Sequence, residues 1–303
     1  MSFQQLTNGL RSIIKGEVLL NEPLKNHTTW KIGGPADILV IPNSIEEVVA
    51  TISKADEYKI PVTVIGNGSN ILVLDGGVRG IVIKLNNNMS KVTICENVIE
   101  AEAGISLPKL SQIAAKASLS GLEFASGIPA TLGGAIIMNA GALGGEISNR
   151  IVKVAWVNNS GEIFYTEKEQ LKFSYRNTVF PVGDPIVLKA WLKLEPKEKG
   201  HIQELIDSYM TKRKMSQPFN KPNAGSVFKN PSGNYAGKLI EDAGLKGFKF
   251  KSVQISEIHA NFIVNCGDAT ADDVLELIKL VKERVYKKTG VLLELEVKVL
   301  GEA

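Results

Sequence analysis

An uncharged, glycine-rich segment places the strongest constraint on what this chain can fold into. No charged residue stands between Glu123 and Glu146, and five glycines fall within positions 133–145. Glycine permits positive φ angles and lets backbone N–H groups approach a ligand, because no Cβ stands in the way. The segment 127–145 is therefore poorly suited to a plain helix or strand and well suited to cradling an anion such as a pyrophosphate. A buried loop without a ligand is the alternative; a membrane span is disfavoured because a proline, an asparagine and the glycines dilute its apolarity.

A second glycine-containing turn, Gly66–Asn70, follows an apolar strand predicted over 62–65. It is not a dinucleotide fingerprint, because that pattern requires glycine at position 71, where Ile71 stands. The sequence indicates a tight strand–turn–strand loop whose successive N–H groups suit a phosphate. A simple Asn-Gly hairpin is the alternative.

Helices and strands are mixed without strict alternation, which favours an α+β fold over a doubly wound sheet. Capping and periodicity predict helices after Ser44 and over 106–117, 202–215 and 271–289. Strands are predicted over 38–41, 62–65, 80–84, 92–94, 151–157, 186–194, 263–264 and 292–300. The polar stretch Glu195–Gly200 contains proline and glycine and predicts a linker between domains 1–196 and 197–303.

Composition describes an ordinary globular chain. Of 303 residues, 44% are hydrophobic and 22% charged, and the net charge of +3 predicts no nucleic-acid binding but would not repel a phosphorylated substrate. Cys95 and Cys266 are isolated, with no metal-ligand spacing, and we expect them to be buried packing residues in a reducing compartment. The N-terminal stretch has no sustained apolar run, so the sequence predicts a cytoplasmic protein without a membrane segment.

Three further positions carry reactive side chains in unusual settings. Ser226 lies in the proline-bordered stretch 223–231, Arg176 follows Tyr175 where an apolar stretch meets a loop, and Glu296 lies in the alternating stretch 292–300. The period of two places Glu296 on one face of a strand with two other charged residues. Taken alone, these features fit a turn-forming serine and a solvated strand face.

Together the segments resemble the UDP-N-acetylenolpyruvoylglucosamine reductase family, in the branch that lacks a tyrosine-bearing insertion after the Arg176 region. Six motifs carry the resemblance in family order, and they span nearly the whole chain: His27–Asp37, Gly66–Leu72, Gly127–Glu146, Tyr175–Arg176, Asn223–Pro231 and Leu293–Val297.

The resemblance implies a two-part FAD-binding region of the vanillyl-alcohol-oxidase (PCMH) type, followed by a smaller α/β substrate-binding domain. It implies that FAD is held by Ile32, Gly33, Gly34, Gly66, Asn67, Gly68, Ser69, Asn70, Gly127, Thr131, Gly133, Gly134, Asn139 and Gly141. It also implies that Tyr175, Lys214, Asn230 and His259 bind a UDP-sugar substrate.

The implied chemistry reduces an enolpyruvyl group with NADPH as the electron source, for peptidoglycan precursor synthesis. Ser226 matches the donor of a proton to the α-carbon, and Arg176 and Glu296 match groups that stabilise the enolate. A glutamic acid held neutral for this purpose requires a desolvated site. No metal is implied.

The chain departs from the family pattern at Ala130, where glycine is usual, and at Leu295 and Lys298, which flank Glu296. Two other functions stay open from the sequence: a different FAD-dependent oxidase or dehydrogenase of the same fold, and a non-catalytic binder of nucleotide sugars.

Overall fold

The structure is a computed structural model that describes the backbone of residues 3–303 and side chains from residue 5 onward. The chain divides into two compact units. Unit 1 contains the described residues up to Leu20, with Ile38–Asn67 and Gly80–Lys212. Unit 2 contains Asn21–Asp37, Gly68–Arg79 and Arg213–Ala303.

Residues 3–303 contain seven α-helices: α1 (Phe3–Ile13), α2 (Ile45–Glu57), α3 (Leu107–Lys116), α4 (Leu132–Ile137), α5 (Lys199–Ser216), α6 (Ala236–Asp242) and α7 (Ala271–Thr289). The same residues contain twenty strands: β1 (Glu17–Pro23), β2 (Pro35–Ile41), β3 (Val62–Ile65), β4 (Ile71–Val73), β5 (Val78–Lys84), β6 (Val92–Cys95), β7 (Val98–Glu102), β8 (Leu119–Ser120), β9 (Gly141–Ala142), β10 (Gly145–Glu146), β11 (Ile151–Val157), β12 (Ile163–Glu167), β13 (Lys172–Ser174), β14 (Asn177–Val179), β15 (Ile186–Lys193), β16 (Glu195–Pro196), β17 (Lys249–Phe250), β18 (Val253–Ile255), β19 (Ile263–Asn265) and β20 (Lys298–Leu300). No helix within residues 3–303 has the length and apolarity needed to cross a membrane.

Unit 1 is built around a five-stranded antiparallel sheet in the order β12-β11-β15-β7-β6. Trp156 on β11 is buried, with its ring stacked 4.5 Å from Phe164 and edge-on to Phe180 at 5.4 Å. Its indole N–H donates to the Thr166 hydroxyl at 2.8 Å, so burial leaves no polar atom of this ring unpaired. A second sheet has the order β1-β2-β5-β3, in which β3 and β5 run parallel.

Unit 2 combines an antiparallel sheet, β17-β18-β19, with the parallel pair β4–β20 and helices α6 and α7. Trp30 and Phe228 are fully buried in its hydrophobic core. Helix α7 begins at a capping box formed by Thr270 and Asp273, and it ends at Gly290, whose φ is 71°. The four predicted helices and the predicted strands up to 263–264 are confirmed, with small shifts of their ends.

The predicted strand 292–300 is wrong over most of its length, because only Lys298–Leu300 forms a strand. The stretch before it is extended but bonds to loop residues: Glu296 N donates to Val227 O at 2.8 Å, and Lys229 N donates to Glu294 O at 2.9 Å. Between positions 292 and 297, Leu295 forms an isolated bridge to Phe228, so the pairing partner of this stretch is a loop rather than a sheet.

The chain between the predicted domains is not a free linker. Glu195 and Pro196 pair with β8 in unit 1. Strand β20, in turn, pairs with β4 in unit 2, which joins residues 68–79 to the C-terminal part of the chain. Segments of the two units therefore alternate along the sequence, whereas the division into 1–196 and 197–303 stays a prediction about domains.

The cysteines differ from expectation. Cys95 and Cys266 are both free and exposed, so the expectation that they are buried packing residues is wrong. Cys95 lies on β6 at the edge of its sheet, where side chains face solvent.

Candidate active site

The two glycine-rich segments meet within unit 1. A Cβ on Gly66 would lie 2.2 Å from the Thr131 hydroxyl, so only glycine fits at position 66. Beside it, the Asn67 amide donates to the Pro129 carbonyl at 3.2 Å. Gly66 and Asn67, which begin the turn after β3, therefore lie against the segment 127–145.

Contrary to the sequence expectation, the segment 127–145 does contain a short helix, α4. Thr131 caps it by accepting from Gly134 N at 3.4 Å, and Gly134 is exposed while Gly133 is buried. Just before it, the Ser126 hydroxyl is buried and has no hydrogen-bond partner among the described residues. A buried hydroxyl without a partner among the described residues, in a segment rich in glycine, fits a bound polar group such as the FAD diphosphate.

Asn139, predicted to hold FAD, has its side chain fully engaged inside unit 1. Its amide donates to the Glu146 carboxylate at 3.2 Å and to the Ser174 carbonyl at 3.1 Å, and its oxygen accepts from Ser148 N at 3.3 Å. Its φ of 40° is unusual for a residue with a side chain. A contact of Asn139 with FAD, which stays a prediction, would have to use its backbone.

Arg176 occupies a two-residue turn between β13 and β14, where Ser174 pairs with Asn177. Its φ is 58°, and its guanidinium lies 4.9 Å from the centre of the Tyr175 ring. One guanidinium nitrogen donates to the Gly141 carbonyl at 3.4 Å. The predicted residues Tyr175, Arg176 and Gly141 are thus brought together within unit 1.

In unit 2, the remaining predicted cofactor residues lie in close-packed backbone. A Cβ on Gly68 would lie 2.3 Å from the His27 carbonyl, and one on Gly34 would lie 2.1 Å from the Asp75 carbonyl. The chain around Ile32 and Gly33 is held by a bond from the Thr28 hydroxyl to the Ile32 carbonyl at 2.9 Å. Close backbone contacts explain why glycine occupies positions 34 and 68, because a Cβ would clash there. Contact of these residues with FAD stays a prediction.

Ser226 and Glu296 are held near each other within unit 2 by the backbone between them. Val227, next to Ser226, accepts from Glu296 N at 2.8 Å. The Asn70 amide donates to the Glu296 carbonyl at 3.2 Å, and Lys298 N donates to the Asn70 carbonyl at 3.0 Å. Ser226 and Glu296 are both half-buried. The structure therefore brings Asn70, Ser226 and Glu296 together.

Three predicted substrate residues also lie in unit 2. Lys214 is exposed in the last turn of α5, and Asn230 accepts from Ala236 N at 3.0 Å, at the start of α6. His259 is half-buried beside Phe262, and burial lowers the pKa of its imidazole below the usual value of 6.5. His259 is therefore neutral at pH 7.

One residue of this region was not predicted from the sequence. Asn261 is buried, and its amide bonds both backbone groups of Phe228, 33 residues earlier in the chain. The only hint in the sequence was its position two residues after His259, and an asparagine at that position does not by itself indicate a hydrogen bond to Phe228. Such a contact becomes visible only when the chain is folded.

Comparison with known proteins first defines the class. Residues 36–167 match a family of FAD binding domains, and residues 217–300 match the C-terminal domain of UDP-N-acetylenolpyruvoylglucosamine reductase. The Physcomitrella patens protein BBE-like 1 shares the fold, with a TM-score of 0.50 and 13% identity over 64% of this chain and 44% of that one. The fold is α+β with an FAD-binding region of the vanillyl-alcohol-oxidase type, and the protein is a flavin-dependent oxidoreductase.

Full-length relatives then define the family. The UDP-N-acetylenolpyruvoylglucosamine reductase of Alkaliphilus oremlandii is 50% identical, with 94% of each chain covered. The crystal structure of the reductase from Thermus caldophilus matches with a TM-score of 0.81 and 40% identity, over 95% of this chain and 100% of that one. The chain belongs to the UDP-N-acetylenolpyruvoylglucosamine reductase family, whose cofactor is FAD and whose reductant is NADPH.

Proposed function

We propose that this protein reduces the enolpyruvyl group of UDP-N-acetylglucosamine enolpyruvate to give UDP-N-acetylmuramate, a peptidoglycan precursor. Family membership over nearly the whole chain supports this substrate. When bound, FAD supplies the hydride that adds to the β-carbon of the enolpyruvyl group, after NADPH has reduced it. The protein must then bind the substrate, stabilise the charge that forms and deliver one proton.

Ser226 is the proposed proton donor. Addition of hydride leaves an enolate, which is basic enough to take a proton from a hydroxyl that is already in position. The observation that carries this role is the bond from Glu296 N to Val227 O at 2.8 Å, because it fixes the segment bearing Ser226 against the segment bearing Glu296. Both side chains are half-buried, which limits competition from water.

Arg176 and Glu296 are the proposed stabilisers of the enolate. The guanidinium is permanently charged, and its position over the Tyr175 ring and against the Gly141 carbonyl restricts its movement. Glu296, in its neutral form, would donate a hydrogen bond to the developing negative charge. Fixed donors need little rearrangement as charge develops.

The remaining predicted residues are proposed to bind the substrate or FAD. Tyr175, Lys214, Asn230 and His259 are proposed to contact the substrate, with Lys214 as a point charge for the diphosphate. FAD is proposed to be held by Ile32, Gly33, Gly34, Gly66, Asn67, Gly68, Ser69, Asn70, Gly127, Thr131, Gly133, Gly134, Asn139 and Gly141. The Ser126 hydroxyl, which is buried and has no hydrogen-bond partner among residues 5–303, supports the glycine segment as part of that cradle. The proposal keeps a cytoplasmic location, which the two free cysteines favour.

The Ser226→Ala variant tests the proton donor, with flavin absorbance followed anaerobically in the two half-reactions. We expect reduction by NADPH at the wild-type rate, and reoxidation by the enolpyruvyl substrate slower by about 10²- to 10⁴-fold. Ser252→Ala is the matched control, because Ser252 is a half-buried serine of unit 2 with no proposed role. Equal loss in both half-reactions of Ser226→Ala would remove the serine from proton transfer.

A further inference from the structure

Asn261 bonds directly to the segment that follows Ser226. Its side-chain oxygen accepts from Phe228 N at 3.0 Å, and its side-chain amide donates to Phe228 O at 2.8 Å. Its main-chain carbonyl accepts from Val227 N at 2.8 Å. Only 3% of Asn261 is exposed, so water cannot replace these bonds.

These bonds complete a two-sided arrangement around Val227 and Phe228. On one side, the extended stretch that contains Glu296 bonds to Val227 O; on the other, Asn261 bonds to Val227 N and to both backbone groups of Phe228. The Asn261 side chain therefore pairs with both backbone groups of Phe228, as the backbone of a neighbouring β-strand would. We call this set of bonds the Asn261 clamp.

The same residue also fixes His259. Asn261 N donates to His259 Nδ1 at 3.2 Å, and a backbone N–H can only donate, so Nδ1 accepts. Because burial keeps the ring neutral, its proton is on Nε2. The Nε2 group then presents a donor, which suits an oxygen acceptor of the substrate.

We propose that Asn261 is a positioning residue of the reaction: the clamp sets the place of the Ser226 hydroxyl, while the Asn261 backbone sets the tautomer of His259. This rests on the proposed function of Ser226. Neither effect requires Asn261 to touch the substrate. A displacement of the Ser226 hydroxyl by about 1 Å is enough to slow proton delivery by roughly 100-fold.

Replacement of Asn261 by aspartate distinguishes a role in positioning Ser226 from a role in folding alone. A protonated aspartic acid keeps one donor and one acceptor for Phe228, whereas the ionised form has only acceptors and faces the Phe228 carbonyl with a negative charge. The clamp in Asn261→Asp should therefore close at low pH and open at high pH. A purely structural loss would not follow the ionisation of the new carboxyl group.

The experiment measures flavin reoxidation by the enolpyruvyl substrate in Asn261→Asp and in the wild type across the pH range where both hold FAD. Rates are expressed as the ratio of variant to wild type, so that the pH dependence common to both proteins cancels. We expect a ratio lower by roughly 10- to 100-fold at high pH, recovering as the pH falls, with reduction by NADPH unchanged. The dissociation constant for UDP-N-acetylmuramate, measured by flavin fluorescence, should rise at high pH as the clamp opens beside His259.

Asn265→Asp is the matched control, because Asn265 is also buried in unit 2 and its amide bonds the Trp30 carbonyl and Gly267 N instead. It should lower thermal stability without a pH-dependent ratio for reoxidation. A pH-independent ratio in Asn261→Asp, or equal loss in both half-reactions, would overturn the proposal.

Two further measurements keep the outcomes distinct. If Ser226→Ala reoxidises normally, the proposed function of the serine fails; if Ser226→Ala stalls and Asn261→Asp does not, the clamp fails alone. In the wild type, hydrogen–deuterium exchange should be slow at Val227 and Phe228, because the N–H groups of both residues donate hydrogen bonds to Asn261. Fast exchange there would overturn the clamp even if Asn261→Asp does not fold.

Discussion

The turn that bears Arg176 and the segment that bears Ser226 are fixed in different ways. Arg176 lies in a local hairpin of unit 1, and that hairpin is tied down by side chains, chiefly through Asn139 and its bond to the Ser174 carbonyl. Ser226 lies in unit 2 on a segment tied mainly by backbone bonds to residues distant in the sequence. The Arg176 turn should therefore respond to many substitutions, whereas the Ser226 segment should respond to few, with Asn261 the main exception.

Within the Arg176 turn, we expect the strongest effect from a change to the guanidinium itself. Arg176→Lys keeps the charge but loses the planar group over the Tyr175 ring and its bond to the Gly141 carbonyl. We expect flavin reoxidation by the enolpyruvyl substrate to slow by about 10²- to 10³-fold, with reduction by NADPH retained. Stopped-flow absorbance measures both rates.

Arg150→Lys serves as the control for this change. Arg150 is another partly buried arginine of unit 1, paired with Glu195 at 2.7 Å and without a proposed role. It should leave both half-reactions unchanged. Full reoxidation in Arg176→Lys would show that charge alone suffices and that the turn needs no precise geometry.

A smaller effect tests the side-chain ties of the Arg176 turn. Asn139→Ala removes three hydrogen bonds in buried surroundings and places alanine at a φ of 40°. We expect the free energy of unfolding to fall by about 2–4 kcal/mol, measured by urea denaturation of the FAD-loaded protein. Asn159→Ala, at an exposed asparagine, should change it by less than about 0.5 kcal/mol. If the two variants are equally stable, the Asn139 network does not hold the turn.

Sequence reasoning succeeded where the signal was local. The helix 271–289 was predicted from its Thr270 cap and Gly290 stop, and both have the expected geometry. The turn 66–70 was likewise predicted between two strands, which are β3 and β4.

Sequence reasoning failed where a residue's partner is remote. The stretch 292–297 was predicted as part of a strand, but its backbone partners are residues 227–229 in a loop. The Asn261 clamp and the pairing of β20 with β4 were not predicted for the same reason, because the residues next to each partner give no sign of the contact. Family resemblance supplied the roles of Ser226 and Glu296, whereas their mutual placement required the folded chain.

The weakest effect that we expect is on the pH dependence of thermal stability, through His259. Its pKa is lowered by burial, so below its usual pKa of 6.5 the unfolded chain binds more protons at this position than the folded protein does. The stabilising effect of the neutral ring is therefore present above pH 6.5 and is lost as pH falls through the lower, folded pKa. We expect His259→Gln to show a shallower loss of thermal stability than the wild type between neutral and mildly acidic pH. Parallel curves for the two proteins would assign that loss to other groups.

The proposal that this protein is an enolpyruvyl reductase is tested most directly by the visible spectrum of the purified protein during one catalytic cycle. The FAD-loaded protein is treated with NADPH in the absence of oxygen, and UDP-N-acetylglucosamine enolpyruvate is then added. We predict a yellow protein that bleaches with NADPH and regains its colour when the enolpyruvyl substrate is added. A bleached protein that recovers its colour only in air would rule out reduction of the enolpyruvyl substrate and would indicate an oxidase.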